Sequence, residues 1–276
     1  MLIAHITDLH IRPRGKPAYR VSETNTLTER ALDAVAALRP RPDVLVITGD
    51  LTDCGLAEEY AYLQSLLARL DLPVLVIPGN HDRRETLTAG LKLAAQTVLD
   101  GGFVQFLADI GGVRLIGLDT LVPGQSAGAL CDTRLAFLEN ALAGADGKPV
   151  AIFMHHPPFD CGIGHMDNIR LLEGAAEFAE IVGRHPNIER VLCGHHHRPI
   201  QVRFSGTIAQ IAPSVTHQVT LDLAPDGAAT FHMEPPAYHL HSYRPGTGLV
   251  SHTAYVERFP GPYPFVLDAD YPGGHA

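Results

Sequence analysis

Residues 190–199, RVLCGHHHRP, place three consecutive histidines directly after a short apolar run. The apolar run predicts a buried strand, and the glycine after it marks the strand's end. Alternate side chains of an extended segment share a face, so we expect His195 and His197 to point into one site and His196 to point away. Three charged imidazoles so close together would repel one another. A metal removes this cost, because it binds the neutral form.

Four other apolar runs also end at metal-binding residue types. Residues 2–7, 43–48, 72–77 and 150–154 lead into Asp8-Leu9-His10, Gly49-Asp50, Gly79-Asn80-His81-Asp82 and His155-His156. Ligands of open α/β sheets bind at the carboxyl ends of the strands, so these side chains are expected to converge. Carboxylate, imidazole and amide donors suit Zn, Mn, Fe and Co. Seven or more donors exceed the needs of one ion and favour two ions that share a carboxylate.

The order of the predicted elements indicates an α/β fold that becomes rich in strands towards the end. Helices are expected near 26–38, 60–70, 84–95, 132–142 and 172–184, and a hairpin at 102–109 and 113–119. Short strands are expected at 200–204, 207–212, 217–223 and 228–233. Two packed sheets flanked by helices fit this order. Residues 235–276 are treated as an appendage with one strand at 249–256.

Composition limits the class of function. The 276-residue chain carries a net charge of −9, which argues against a nucleic-acid partner. No window contains the ~18 consecutive apolar residues of a membrane-spanning helix, so no membrane partner is expected. The N-terminus has no signal-peptide pattern and the four cysteines form no CxxC pair. We therefore expect a cytoplasmic protein with reduced thiols.

Taken in order, these sequence blocks resemble the signature of the calcineurin-like metallophosphoesterases. The variant is most similar to the class III cyclic-nucleotide and glycerophosphodiester phosphodiesterases, in particular bacterial glycerophosphodiesterases. The resemblance implies a four-layer α/β/β/α sandwich of two mixed sheets. It also implies a catalytic domain at 1–234 and a C-terminal extension at 235–276 that caps the site or contacts a second copy, giving a homodimer or higher homo-oligomer.

The resemblance also implies a role for each site residue. Two divalent ions (Fe, Mn, Zn or Co) would generate a hydroxide that attacks a small phosphodiester. His81 would lie beside the phosphate as a catalytic residue, with His217 and Tyr19 at the substrate rim. His155 is interpreted as structural, and His196 as exposed or outside the ligands. The implied metal ligands are Asp8, His10 and His197 for the first ion, Asn80, His156 and His195 for the second, and Asp50 as the bridge.

Several alternatives stay open at this point. Glycerophosphodiesters are the first choice of substrate and a 3′,5′-cyclic nucleotide such as cyclic AMP is the second. The sequence GDLTDCG differs from the GDxVDRG of phosphoprotein phosphatases, and the negative charge disfavours a DNA nuclease. A metal-free scaffold of the same fold is a distant alternative, since all seven ligand positions are filled.

Overall fold

The computed structural model describes residues 1–266. Its helices are α1 Thr24–Ala36, α2 Ala57–Leu67, α3 Arg84–Gly90, α4 Asp132–Ala143, α5 Gly164–Asp167 and α6 Ala175–Arg184. Its strands are β1 Leu2–Ile6, β2 Val44–Thr48, β3 Val74–Ile77, β4 Thr97–Val98, β5 Gln105–Ile110, β6 Val113–Leu118, β7 Gly128–Ala129, β8 Val150–Met154, β9 Leu171–Glu173, β10 Ile188–Cys193, β11 Ile200–Phe204, β12 Thr207–Ile211, β13 Gln218–Val219, β14 Phe231–His232, β15 Ala237–Arg244 and β16 Gly248–Tyr255.

Two mixed sheets form the centre of the fold. The first has the order β16-β15-β1-β2-β3 and the second β11-β12-β10-β8-β6-β5-β4. Strands β1, β2 and β3 are parallel, as are β6, β8, β10 and β12. The remaining pairs within the two sheets are antiparallel. The parallel strands of each sheet therefore bring their carboxyl ends to one edge.

Three hydrophobic clusters show the layers. One packs the first sheet against α1, α2 and α3, and includes the buried Tyr60 and Leu63. A second packs the other sheet against α4 and α6, with Phe178 at its centre. The third lies between the sheets and includes Ile3 of β1 and Phe153 of β8. These three interfaces separate four layers, so the predicted α/β/β/α sandwich of two mixed sheets is confirmed.

Most predicted elements are present, with bounds that mostly differ by up to three residues. The strand expected at 150–154 and the hairpin of β5 and β6 are found. The helix expected at 84–95 ends at Gly90, because Leu91 is already extended. The strands expected at 217–223 and 228–233 shorten to the two-residue pair of β13 and β14. Leu221 and Leu223, which lie in the part expected to be strand, have exposed side chains.

The predicted C-terminal extension contributes two strands to the first sheet. Strand β15 pairs antiparallel with β1, and β16 pairs with β15. A boundary at residue 235 therefore cuts through a sheet, and residues 237–255 belong to the same layered structure as the rest. The strand expected at 249–256 corresponds to β16, whereas β15 was not expected. A role of the extension as a cap or dimer contact stays a prediction, and part of it, residues 267–276, lies outside the described residues.

Within residues 1–266, no helix combines the length and the apolar character that crossing a bilayer requires.

Candidate metal centre

The predicted ligands lie where β1, β2, β3, β8 and β10 end. Their backbone is unusual, since five of the seven adopt a left-handed conformation with φ between 46° and 71°. Non-glycine residues seldom do so, and the cost is typically of order 1–3 kcal/mol each at functional sites. The chain turns sharply after each strand and directs consecutive polar groups into one space. The five residues are Asp8, His10, Asp50, His195 and His197.

Glycines allow the strand ends to approach one another. A Cβ at Gly79 would collide with the carboxylate and backbone nitrogen of Asp50. A Cβ at Gly194 would collide with the Thr7 hydroxyl and touch Asp8. The Gly-Asp, Gly-Asn-His and Gly-His motifs therefore combine a donor with the small residue that lets it come close.

One group of donors matches the first predicted ion. One ligand atom from each of its four residues lies within 4.8 Å of the others. His10 Nε2 and His197 Nε2 face each other at 3.3 Å, and His197 Nε2 is 3.3 Å from Asp8 Oδ1. His10 Nε2 is 3.6 Å from an oxygen of the fourth member, Asp50. Such a convergence of buried imidazoles and carboxylates fits a divalent cation.

The opposite nitrogens of these two histidines are held by the protein. His10 Nδ1 donates to Asp53 Oδ1 at 3.1 Å, and His197 Nδ1 donates to the carbonyl oxygen of His217 at 2.9 Å. A hydrogen bond of this kind fixes the tautomer and directs the other nitrogen at the ion. The sequence analysis did not identify Asp53, although its place three residues after Asp50 was a usable signal.

In the second group, a further histidine lies beside the predicted ligands. His155 Nε2 lies 3.1 Å from Asn80 Oδ1 and 3.4 Å from Asp50 Oδ2, while its Nδ1 donates to the carbonyl oxygen of Thr48 at 2.7 Å. The ring of His155 therefore lies beside Asp50 and Asn80, and its second nitrogen is held by the backbone. His155 was interpreted as structural, yet it lies between the predicted bridge and a predicted ligand.

His156, the predicted ligand, has other hydrogen-bond partners. Its Nδ1 is 2.7 Å from Thr120 Oγ1 and its Nε2 is 3.1 Å from the carbonyl oxygen of Ser126. Ring nitrogens of His155, His156 and His195 still lie within 4.8 Å of one another. The choice of His156 as the ligand stays a prediction, and His155, the first residue after β8, is a second candidate.

Charge interactions tune the centre. Burial alone would raise the pKa of Asp50, but His155 and His81 hold it well below the usual range. Burial disfavours the charged form of His81, but the Asp50 carboxylate and the hydrogen bond to Asp53 outweigh it and raise its pKa. His81 donates through Nδ1 to the carbonyl oxygen of Asp53 at 2.8 Å, and its side chain is 29 % exposed. It is therefore positioned between the centre and solvent.

The predicted substrate residues line the same opening. A cavity of about 320 Å³ is lined by five of the seven predicted ligands, together with His81, His217 and Tyr19. The ring of His217 is 5.3 Å from that of Tyr19 and 5.0 Å from that of Phe231, which forms an aromatic wall. A second cavity of about 580 Å³ shares Asn80 and His81 with the first and continues past Arg83. The two cavities meet at Asn80 and His81, so a bound substrate with two substituents has room for one in each cavity.

Two further residues have surroundings that the sequence analysis did not describe. His196 is fully buried rather than exposed, and neither ring nitrogen has a hydrogen-bond partner among residues 1–266. Asp82, which was not assigned a role, accepts hydrogen bonds from the backbone nitrogens of Leu51 and Gly79 at 3.0 and 2.9 Å. It thereby connects the loop that carries Asp50 to the loop that carries Asn80.

Curated relatives match nearly the whole chain. A protein of Arcobacter nitrofigilis, named probable glycerophosphodiester phosphodiesterase GpdQ, is 37% identical over 265 residues, which cover 96% of this chain and 97% of that protein. A probable cyclic nucleotide phosphodiesterase of Rhodopseudomonas palustris is 37% identical over 239 residues, covering 84% of this chain and 85% of that protein.

A solved structure with this fold is that of a dimetal phosphatase from Danio rerio. It superposes with a TM-score of 0.65 at 16% identity, covering 93% of this chain and 99% of that one. The model of the calcineurin-like phosphoesterase family matches residues 1–199, which contain all seven predicted ligands. Because this match covers most of its length, the chain belongs to the calcineurin-like phosphoesterases.

Proposed function

We propose that the protein is a phosphoric diester hydrolase with two divalent metal ions, and that its substrates are small glycerophosphodiesters. The observation that carries the proposal is the convergence of Asp8, His10, Asp50 and His197 within 4.8 Å. His155 Nε2 lies 3.4 Å from the same Asp50 oxygen that His10 approaches, and 3.1 Å from Asn80 Oδ1. A carboxylate shared in this way by two groups of donors suits two ions.

We propose that the first ion is held by Asp8, His10 and His197, with Asp50 shared. The second would be held by Asn80, His195 and His155, which takes the place first given to His156. When bound, such ions supply a water nucleophile of lowered pKa and positive charge for the phosphate. Asp8 and Asp50 bring only two negative charges, because the histidines bind as neutral imidazoles. The remaining positive charge favours a phosphodiester anion.

His81 is proposed as the proton donor to the departing alcohol. Its Nδ1 hydrogen atom is committed to the carbonyl oxygen of Asp53, which leaves Nε2 for the cavity. The raised pKa favours the form with a proton on Nε2. An alkoxide leaving group requires such a proton, and its loss typically costs about 10²–10⁴-fold in rate.

Glycerophosphodiesters are favoured by the extent of the similarity. The match to the GpdQ relative includes the C-terminal strands, whereas the match to the cyclic nucleotide phosphodiesterase covers less of the chain. A cyclic nucleotide is the second candidate, and the aromatic wall of Tyr19, His217 and Phe231 supports it, because a base can stack on such rings.

A substrate panel tests the proposal. Metal-depleted protein is reloaded with Mn, Co, Zn or Fe and assayed with glycerophosphoethanolamine, cyclic AMP and a phosphomonoester. We expect efficient hydrolysis of the glycerophosphodiester and none by Asp50→Asn. Cyclic AMP as the only efficient substrate would select the second candidate, and no hydrolysis with any metal would favour the scaffold. The homo-oligomer and the cytoplasmic location expected from the sequence remain predictions.

A further inference from the structure

A second cluster of histidines lies away from the strand ends, in the interior between the two sheets. His5 is on β1, and His239 and His241 are on β15. Strands β1 and β15 are antiparallel with His5 opposite His239 and Ile3 opposite His241, so all four side chains share a face. That face is the inner one, because Ile3 belongs to the core between the sheets. The three histidines are 0 %, 1 % and 0 % exposed.

The spacing of these rings fits a single ion. One nitrogen of each histidine lies within 4.8 Å of the others. His5 Nδ1 and His241 Nε2 are 3.2 Å apart. In a tetrahedral zinc site with Zn–N bonds of 2.0–2.1 Å, two ligand nitrogens are separated by about 3.3 Å. The pair therefore already has the separation of two ligands of one ion.

The outer nitrogens of this pair are held by hydroxyl groups. His5 Nε2 is 2.8 Å from Thr48 Oγ1, and His241 Nδ1 is 2.8 Å from Ser251 Oγ. When these hydroxyls accept a hydrogen bond, both facing nitrogens carry lone pairs directed at each other. A cation between them resolves the repulsion. Hydrogen bonds to the outer nitrogen are the usual support of metal-binding histidines.

His239 supplies the independent observation. Neither of its ring nitrogens has a hydrogen-bond partner among residues 1–266, although the residue is buried. A neutral imidazole carries an N–H donor and a lone pair, and leaving such groups unpaired inside a protein is destabilising. Burial lowers the pKa of His239 to about 4, so the ring is neutral at neutral pH. A neutral imidazole next to two others is the form that binds a metal.

We propose that His5, His239 and His241 bind one divalent transition-metal ion of the zinc type, separate from the centre at the strand ends. Three protein ligands leave a fourth position for a water molecule or hydroxide. The ion would connect β1 to β15, directly behind the loop that carries Asp8. Through Thr48 it would also support the loop that carries Asp50. The site is thus structural, and it would explain why β15 places two histidines in the interior.

Metal counting on matched variants tests the proposal. Chelator-treated wild type, His239→Leu and His252→Leu are reloaded with Zn²⁺ or Co²⁺, desalted and analysed for metal per chain. His252 is an exposed histidine of β16 and serves as the control. We expect wild type and His252→Leu to retain one equivalent more than His239→Leu, and the Co²⁺ absorption spectrum to lose one component in His239→Leu. Hydrolysis of bis(p-nitrophenyl) phosphate should persist in all three.

The stability of the chelated proteins shows whether the variant folds. Leucine removes two unpaired nitrogens, so His239→Leu should melt at the same or a higher temperature than chelated wild type. Added Zn²⁺ should raise the melting temperature of wild type more than that of His239→Leu, because the variant keeps only the centre at the strand ends. A second variant, Ser251→Ala, keeps all three ligands and should weaken the extra site about 10–100-fold. Equal metal content of wild type and His239→Leu would overturn the proposal. So would a Zn²⁺-induced rise in melting temperature that is the same in both.

Discussion

Replacing Asp82 with asparagine should strongly destabilise the protein, although it changes only one atom. The Asp82 side chain is buried and surrounded by hydrogen-bond donors. Its Oδ2 accepts from the nitrogens of Leu51 and Gly79, and its Oδ1 accepts from the hydroxyl of Tyr60 at 2.8 Å. Oδ1 also accepts from the nitrogen and the hydroxyl of Thr52, both at 3.2 Å. Asparagine must place a donor against one of these groups.

The expected magnitude follows from counting lost acceptors. With its NH₂ in the place of Oδ1, the variant leaves the Thr52 N–H without an acceptor. The hydroxyls of Thr52 and Tyr60 cannot turn freely, because they accept N–H groups of Gly55 and Arg83 at 3.1 Å. One buried unpaired N–H costs about 1–3 kcal/mol, and the lost bonds to a carboxylate add to this. We expect Asp82→Asn to lower the free energy of unfolding by about 2–5 kcal/mol.

Urea unfolding of chelated protein measures this change without a contribution from bound metal. Asp100→Asn is the matched control, since Asp100 is exposed, and its effect should be within about 0.5 kcal/mol. Because Asp82 joins the loops of Asp50 and Asn80, Asp82→Asn should also reduce metal affinity. Equal unfolding midpoints for Asp82→Asn and Asp100→Asn would refute the reasoning, as they would show that the five donors do not depend on the carboxylate.

Three further predictions concern the centre and the surface. His155→Ala should lose about one equivalent of metal while His156→Ala keeps it; the opposite result would restore the ligand predicted from sequence. His81→Ala should lower turnover about 10²–10⁴-fold with metal content intact, and loss of metal would instead make His81 a ligand. Hydrogen bonds from Arg114 hold the pKa of the Asp109 carboxyl below its usual value. Because the folded pKa lies below the unfolded value of about 3.9, this pairing stabilises above that pH and is lost as the pH falls. Asp109→Asn should therefore show a smaller fall in Tm than wild type between about pH 5 and 2, and parallel curves would contradict this.

The positions of the donors could be predicted because the signal is local. Each apolar run marks a buried strand, and the polar residues directly after it mark the strand's end. His195 and His197 line the same cavity, but the alternation of an extended segment is not the reason. Both residues have positive φ, so the segment is not extended and alternation does not place them. The sharp turns that do so leave little trace in the sequence beyond the preceding glycine.

Other features depend on contacts that sequence patterns do not show. Two adjacent histidines cannot be ranked as ligands without the direction in which the chain leaves β8, and here His155 lies beside Asp50. Strand β15 was missed because its inner face carries His239 and His241 rather than apolar residues, so the usual alternation is absent. Asp53 and Asp82 act through hydrogen bonds to other loops, which only the folded chain brings together.

Anomalous diffraction from crystals grown with Mn²⁺ would test the central claim most directly. The account predicts two peaks, one among Asp8, His10 and His197 and one among Asn80, His155 and His195, with the Asp50 carboxylate between them. Absence of any peak at these strand ends, or an Asp50 carboxylate that contacts neither ion, would contradict it.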